Sequence, residues 1–142
     1  VFQDFQLLPD RSIEENLLFV MQSTGWKDKK AMKNHAKITL EQVNLPDILD
    51  KYPHQLSGGQ QQKVAIARAM INSPKVILAD EPTGNLDPES SNEIMNLLSV
   101  ISKGGTAIIM ATHDMDLVDN YPGRVLKCEE GLISEVQPSV YE

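Results

Sequence analysis

The chain has 142 residues, of which 41% are hydrophobic and 23% charged, and its formal net charge is −7. This composition is typical of one folded, water-soluble domain and excludes a disordered or fibrous chain. The acidic balance disfavours free-standing nucleic-acid binding, which needs a basic surface, and favours a partner protein or a small ligand. The single cysteine, Cys128, excludes an intrachain disulfide and indicates a reducing compartment such as the cytosol.

The first third of the chain is predicted to be helical. Apolar spacing predicts a helix over residues 12–22, with Ser12 as its N-cap and Glu15 completing a capping box. A second helix is predicted over residues 27–43. Its five lysines indicate a solvated face, and contact with an acidic partner is the alternative. A short helix is predicted just before Tyr52-Pro53.

The rest of the chain alternates between helical and apolar patterns. Helices are predicted over residues 60–71 and 88–102, and strands over 76–79, 106–111, 124–127 and 132–136. The runs at 76–79 and 107–111 are far too short to cross a bilayer and are expected to be buried strands. Apolar strands separated by helices indicate a parallel sheet with right-handed crossovers.

The segment Leu56-Ser57-Gly58-Gly59-Gln60 stands immediately before a strongly helical run. Two glycines at a helix start let backbone N–H groups approach an anion, and the helix dipole and a serine hydroxyl add to the attraction. Taken alone, such a segment is more often an ordinary N-cap followed by a glycine turn.

Two adjacent carboxylates, Asp80 and Glu81, follow the apolar run at 76–79. In nucleotide-binding α/β sheets, ligands lie beyond the carboxyl ends of the strands. One carboxylate there can hold magnesium and the next can accept a proton from an attacking water. The alternative is an acidic turn after a strand.

The next apolar run ends in Thr112-His113-Asp114, so His113 is predicted to hydrogen-bond a terminal phosphate and a catalytic water. A structural cap is the alternative. Between the two runs, Gly84-Asn85-Leu86-Asp87 is predicted to form a turn and a helix start. The consistent placement of all these motifs at strand ends or helix starts makes coincidence remote.

Together, LSGGQ, a hydrophobic strand ending in DE, GNLD and ATHD resemble the nucleotide-binding domain of ABC transporters, and the resemblance covers essentially the whole chain. Within that family the strings LADEPTGNLD and MATHD look most like FtsE-type cell-division ATPases and the related lipoprotein-release and macrolide-export subunits. The fold implied is α/β, the C-terminal part of a P-loop NTPase core with a mainly parallel sheet flanked by helices. A helical subdomain is expected over about residues 4–56, and the signature helix and catalytic core over about 57–142.

The resemblance also implies roles for single residues. The opening Val1-Phe2-Gln3-Asp4-Phe5 looks like the Q-loop, in which Gln3 would touch magnesium and couple to the membrane partner. Asp80 would be the Walker B magnesium residue, Glu81 the general base and His113 the switch histidine. Catalysis is thus expected from Glu81 and His113, with ATP and Mg²⁺ as cofactors.

Other residues are expected to act across an interface. By the same resemblance, the γ-phosphate of an ATP held by the opposite subunit would be contacted by Ser57, Gly58, Gly59 and Gln60, and Asp87 would be the D-loop aspartate. The implied partners are a second ABC ATPase subunit in a head-to-tail dimer and an integral membrane permease, FtsX-like or related, with no nucleic acid. The implied location is cytoplasmic, peripheral at the inner face of the membrane.

One motif of the family is missing, because no G-x-x-x-x-G-K-[ST] occurs in the sequence. The family places this P-loop before the Q-loop, so the chain is expected to be a C-terminal fragment with negligible ATPase activity and weak ATP affinity of its own. Two alternatives are a soluble ABC protein acting on ribosomes or DNA and a non-catalytic interaction module. Acidic charge and the GNLD string oppose the first, and Glu81 and His113 oppose the second.

Overall fold

The computed structural model describes residues 1–136, which form two compact units, Val1–Ala111 and a second that begins at Thr112. The predicted segment 57–142 extends into residues 137–142, which lie outside the described residues. The first unit contains α1 (Ile13–Ser23), α2 (Lys29–Gln42), a 3₁₀ turn (Pro53–Gln55), α3 (Gly58–Met70), β1 (Val76–Asp80), α4 (Pro88–Lys103) and β2 (Ala107–Ala111). The second contains α5 (Met115–Asn120), β3 (Val125–Glu129) and β4 (Leu132–Val136).

The start of α1 confirms the predicted capping box. The Glu15 amide donates to Ser12 Oγ at 3.2 Å, and the Ser12 amide donates to Glu15 Oε2 at 2.8 Å. Two helix-terminal donors are therefore satisfied by side chains that the sequence spacing already placed together.

The short helix predicted before Tyr52-Pro53 is wrong. Residues 46–51 form turns, and a 3₁₀ turn begins at Pro53 instead. The carbonyls of Leu49 and Lys51 accept hydrogen bonds from the first amides of α1, Glu14 N at 2.9 Å and Ile13 N at 2.8 Å. These two bonds tie residues 46–51 to the start of α1, and Pro53 has no N–H that could close a helical turn on the carbonyl of Leu49.

The core of the first unit lies between α1, α2 and α3. Fully buried apolar side chains come from all three helices, namely Ile13, Leu17, Met21, Met32, Ala36, Leu40, Val64, Ala67 and Ile71. The predicted helical pair and the signature helix therefore share one hydrophobic core, so the N-terminus of α3 is held by the same packing that stabilises α1 and α2.

The two strands of the first unit pair in parallel, as predicted, with Val76 opposite Ala107 and Asp80 opposite Ala111. Their carboxyl ends therefore meet at one edge. Along the other side of β1, the Val1 ammonium donates to the carbonyl of Leu78 at 2.7 Å and the Asp80 amide donates to the carbonyl of Val1 at 2.9 Å. The first residue of the chain thus bonds to β1 in a strand-like manner.

The expectation that both strands are fully buried is wrong. On β1 burial alternates, so that Ile77 and Ala79 are buried while Leu78 is 64% exposed. On β2 the side chain of Ile109 is 59% exposed. Successive side chains of a strand point to opposite faces, and within residues 1–111 only one face of this sheet is covered by helices.

The second unit contains an antiparallel hairpin of β3 and β4, which confirms the predicted terminal pair of strands. Glu130 (φ 50°) and Gly131 (φ 79°) form its two-residue turn. Positive φ at both positions matches the right-handed twist of the flanking strands. The helix α5, capped by Asp114, was not predicted.

Candidate functional site

The carboxyl end of β1 presents the two predicted carboxylates in succession. Asp80 is the last residue of the strand, and the Glu81 amide donates to the carbonyl of Ala111 at 2.9 Å, which extends the pairing by one bond. Glu81 has φ 44°, a left-handed conformation that costs a non-glycine residue about 1 kcal/mol or more. The bond to β2 holds the backbone of this strained residue in place.

A compact turn carries the chain from this strand end to α4. The Gly84 amide donates to the carbonyl of Glu81 at 3.1 Å, and the Leu86 amide donates to the carbonyl of Thr83 at 3.1 Å, with Thr83 buried. The predicted turn and helix start at 84–87 are therefore confirmed. This hydrogen-bonded turn connects the strand-end carboxylates to the first turn of α4.

Asp87 is the N-cap of α4. Its carboxylate accepts from the Ser90 amide at 2.9 Å, and hydrogen bonds from the Ser90 amide and hydroxyl hold the pKa of Asp87 below its ordinary value. The carboxylate is fully exposed and stays ionised at the positive end of the helix dipole. Its expected role at a subunit interface remains a prediction.

The signature segment begins α3 with a second capping box. Ser57 Oγ accepts from the Gln60 amide at 3.2 Å, and Gln60 Oε1 accepts from the Ser57 amide at 3.0 Å. Ser57 is exposed, and its hydroxyl accepts in this arrangement, so the O–H can still donate to an anion. Ser57 is therefore the N-cap of α3, as the alternative interpretation has it. This local role does not exclude anion binding.

The two signature glycines have different neighbours. A Cβ on Gly59 would lie 2.8 Å from Ser90 Oγ and 3.0 Å from Ser90 Cβ, whereas one on Gly58 would meet the Leu86 side chain at 3.3 Å. Gly59 thus allows the first turns of α3 and α4 to pack directly on each other. Two helix N-termini, each favourable to negative charge, are brought side by side.

Gln3 lies against the turn that follows β1. Its Nε2 donates to Asn85 Oδ1 at 3.1 Å, and Asn85 Nδ2 donates to the carbonyl of Gln3 at 3.4 Å. A Cβ on Gly84 would lie 2.6 Å from Gln3 Nε2, so glycine is required for this approach. The structure therefore joins the predicted Q-loop to the GNLD turn.

Gln62 is a residue that the sequence analysis missed. Its side chain is fully buried on α3, and its Nε2 donates to the carbonyls of Pro82 at 2.5 Å and Phe2 at 3.2 Å. One amide thus ties the signature helix to the loop after Val1 and to the turn after Glu81. A polar residue one turn before Ile66, on the buried stripe of α3, was the available signal.

His113 belongs to the second unit, two residues after Ala111. It stands between Thr112 and Asp114, whose amide donates to Thr112 Oγ1 at 3.0 Å. The predicted convergence of His113 with Glu81 stays a prediction.

Within residues 1–136, no cluster of three or more His, Cys, Asp or Glu side chains could hold a metal ion. Among the helices of that range, none combines the length and apolarity that crossing a bilayer requires.

A model of the ABC transporter family matches residues 1–84, more than half of the chain. The chain belongs to the ABC transporter family. The match includes the Q-loop, the signature and the strand-end carboxylates described above.

Relatives of the chain include several cell-division proteins. The cell division ATP-binding protein FtsE of Streptococcus pneumoniae is 46% identical over 133 residues, which are 94% of this chain and 57% of that protein. FtsE of Mycobacterium tuberculosis is 46% identical over 142 residues, 99% of this chain and 61% of that protein. The chain therefore spans about three fifths of the length of these relatives.

Solved structures of ABC ATPases share the fold. A dimeric post-hydrolysis state of the ATP-binding cassette MJ0796 bound to ADP and Pi has a TM-score of 0.77 at 33% identity, covering 99% of this chain and 63% of that one. CbiO1 of Clostridium perfringens, part of the transporter complex CbiONQ, has a TM-score of 0.84 at 35% identity, covering 97% and 56%. The predicted fold class is confirmed, as an α/β part of an ABC ATPase domain.

Proposed function

We propose that the protein is the ATP-binding and ATP-hydrolysing subunit of an ABC-type transporter or cell-division complex, in which hydrolysis is coupled to a membrane permease. The strand end at Asp80 and Glu81 carries the proposal. Glu81 is held in a left-handed conformation by its bond to Ala111, directly beside the last residue of β1. Strain that the surrounding structure maintains is characteristic of functional positions.

Asp80 and Gln3 are the proposed magnesium ligands. The carboxylate of Asp80 and the side-chain carbonyl of Gln3 are hard ligands, and the bond from the Asp80 amide to the carbonyl of Val1 joins the segments that carry them. Gln3 bonds to Asn85 through its amide nitrogen and not through its oxygen. Magnesium typically takes one or two protein oxygens and completes its shell with water and phosphate. The ion would neutralise charge on the ATP phosphates.

The reaction is hydrolysis of the terminal phosphoanhydride bond. Glu81 accepts a proton as water attacks the γ-phosphorus, the bond to the bridging oxygen of ADP breaks, and phosphate leaves. His113 donates a hydrogen bond to the developing negative charge. The glycine amides and hydroxyl of Ser57–Gln60 bind the γ-phosphate of an ATP whose P-loop belongs to another subunit.

The proposed partners are a second ABC ATPase subunit in a head-to-tail dimer and an integral membrane permease of the FtsX kind or a related one. The named relatives support this, since FtsE is a cell-division protein and CbiO1 is part of a transporter complex. The proposed location is the cytoplasmic face of the membrane. Residues 4–56 would form the coupling helical subdomain, and 57–142 the signature helix and catalytic core.

A mixing experiment tests the nucleotide role of the signature. The 142-residue chain is combined with a P-loop-bearing FtsE-type ATPase whose own signature has been inactivated, and binding of labelled ATP with magnesium is titrated. We expect the mixture to bind ATP about tenfold or more tightly than either protein alone, because one γ-phosphate contact site is restored.

The Ser57→Arg variant should abolish this gain, because a long side chain would fill the anion position. Ser102→Arg, at an exposed serine near the end of α4, is the matched control and should retain the gain. ATP binding that is the same with and without the chain would refute the proposed role of the signature.

A second experiment tests the catalytic base. The chain is joined behind the P-loop-bearing N-terminal segment of an FtsE relative, and steady-state ATP hydrolysis is measured. Glu81→Gln should lower kcat by about 10²-fold or more while ATP still binds, since the amide cannot accept the proton. Glu41→Gln, at an exposed position of α2, should leave kcat unchanged. Equal activity of the two variants would exclude Glu81 as the base.

A further inference from the structure

The segment after Gln3 contains an unusual backbone conformation. Phe5 (φ 62°) and Gln6 (φ 50°) are two successive non-glycine residues in the left-handed region. The Gln6 amide donates to the carbonyl of Asp4 at 2.7 Å, which closes a three-residue turn centred on Phe5. A turn of this kind with positive φ is rare and strained, and left-handed residues normally occur singly. We call residues 4–6 the strained turn.

One side chain of α3 binds both left-handed residues. Arg68 Nη2 donates to the carbonyl of Phe5 at 2.9 Å, and Arg68 Nη1 donates to the carbonyl of Gln6. The guanidinium is more than half buried, and this burial lowers the pKa of Arg68. A planar fork of donors can hold two neighbouring carbonyls at once, which a lysine ammonium cannot do with the same geometry.

The two ends of the segment are anchored separately. On one side, Gln62 donates to the carbonyl of Phe2. On the other, the buried Asn16 accepts from the Leu8 amide at 2.8 Å and donates to the carbonyl of Leu8 at 3.1 Å. Within the segment, Gln6 Nε2 donates to Asp4 Oδ2 and the Phe5 amide donates to the carbonyl of Phe2 at 3.4 Å. These bonds are internal to residues 2–6, so it is Arg68 that attaches the carbonyls of the strained turn to α3.

We propose that Arg68 is a positioning residue that holds the strained turn on α3 and so fixes Gln3 relative to the signature turn at 57–60. Because Arg68 and Ser57–Gln60 belong to one helix, the Q-loop and the signature move together. The positioning rests on the contacts above, whereas its use in the ATP cycle rests on the proposed function.

Hydrogen exchange on the 142-residue chain tests the anchor without nucleotide. In Arg68→Met the Gln6 amide should exchange about tenfold faster, since two hydrogen bonds to a charged donor are lost. Arg68→Lys, which keeps the charge but not the fork, should give an intermediate rate. The side-chain amide resonance of Gln3 should shift toward its solvent position in Arg68→Met, because the bond to Asn85 loosens.

A rescue experiment separates positioning from general stability. Gln6→Gly removes the left-handed strain at position 6 and leaves that at Phe5, so Arg68→Met/Gln6→Gly should regain part of the slow exchange of this amide and move the Gln3 resonance back toward its wild-type position. Gln6→Ala also removes the side-chain amide that bonds to Asp4, but it keeps Cβ and therefore the strain, and Arg68→Met/Gln6→Ala should not recover. In the wild-type background, Gln6→Gly should have a higher unfolding midpoint than Gln6→Ala even if Arg68→Met does not fold.

Lys63→Met is the matched control, since it also removes one cation from α3 but breaks a bond to Glu93 on α4 instead. It should leave Gln6 exchange unchanged. Unchanged exchange in Arg68→Met, or equal rescue by glycine and alanine at position 6, would overturn the proposal. Failure of the wild-type chain to promote ATP binding would reject the proposed function and leave this positioning role standing.

Discussion

The three-helix core and the two-stranded sheet of the first unit differ sharply in how they are covered. In the core, Leu17 of α1, Leu40 of α2 and Val64 of α3 have no solvent exposure. In the sheet, Leu78 and Ile109 are 64% and 59% exposed, although both lie in regular paired strands. Both regions therefore combine apolar residues with regular secondary structure. They differ in whether neighbouring elements cover the apolar side chains.

The difference arises from how each element buries its apolar residues. The amphipathic helices α1, α2 and α3 pack their apolar faces against one another and so bury them in a shared core. A strand with apolar residues on both faces needs a layer on each side, and the helices of residues 1–111 supply one. The helical core should therefore contribute most of the stability, and the open sheet face should govern association.

The largest expected effect is on the core. Leu17→Ala should lower the free energy of unfolding by about 3 kcal/mol, because it leaves a cavity among fully buried neighbours. Leu78→Ala removes the same atoms from an exposed site and should change the free energy of unfolding by less than about 0.5 kcal/mol. Urea denaturation of both variants checks this, and equal losses would show that the sheet is as tightly packed as the core.

The open sheet face is expected to cause self-association. Contiguous exposed apolar side chains at Val76, Leu78 and Ile109 favour contact with a second copy. Light scattering should give a mass above the monomer value of 15.8 kDa, and the double variant Leu78→Lys/Ile109→Lys should return the chain to a monomer. Val100→Lys, 66% exposed on α4, should not. A monomeric wild-type chain would contradict this expectation.

A smaller effect is expected where the two helix N-termini meet. Gly59→Ala should destabilise the chain by about 1 kcal/mol, since the added Cβ would lie 2.8 Å from Ser90 Oγ and helix propensity offsets part of the clash. Gly58→Ala meets only flexible side-chain ends and should be nearly neutral. In thermal denaturation, adding Ser90→Gly to Gly59→Ala should restore the unfolding midpoint. If it does not, the close approach of Ser90 to position 59 is not the cause of the destabilisation.

The smallest expected effect is the pH dependence of the α4 cap. The pKa of Asp87 is lower in the folded chain than its ordinary value of 3.8, so its ionised form stabilises the fold at pH above about 4. This stabilisation is lost as pH falls through that value and below. The difference in unfolding midpoint between wild type and Asp87→Ala should therefore shrink from pH 6 to pH 3. A constant difference would rule out a charge-dependent cap.

Much of the candidate site could be predicted because it depends on residues close together in sequence. The N-cap at Ser57, the strand ending at Asp80 and the turn before Asp87 are set by local spacing and were found, the first as an alternative interpretation. The capping box that Gln60 completes was not predicted. The bonds of Gln62 and Arg68 were not, because they reach carbonyls 20 to 63 residues away in the chain. The pairing of Gln3 with Asn85, 82 residues apart, was hidden for the same reason.

The sequence by itself determined the helices α1 to α4, the cap at Ser12, the parallel strand pair and the motifs of an ABC ATPase, because side-chain periodicity and capping act over a few residues. The tertiary structure decided which strand face is covered, that Leu49 and Lys51 give their carbonyls to α1, and that Arg68 attaches the strained turn to α3. Each of these depends on which segments meet in space. The sequence does not show which distant partner a polar side chain or a backbone carbonyl will bond.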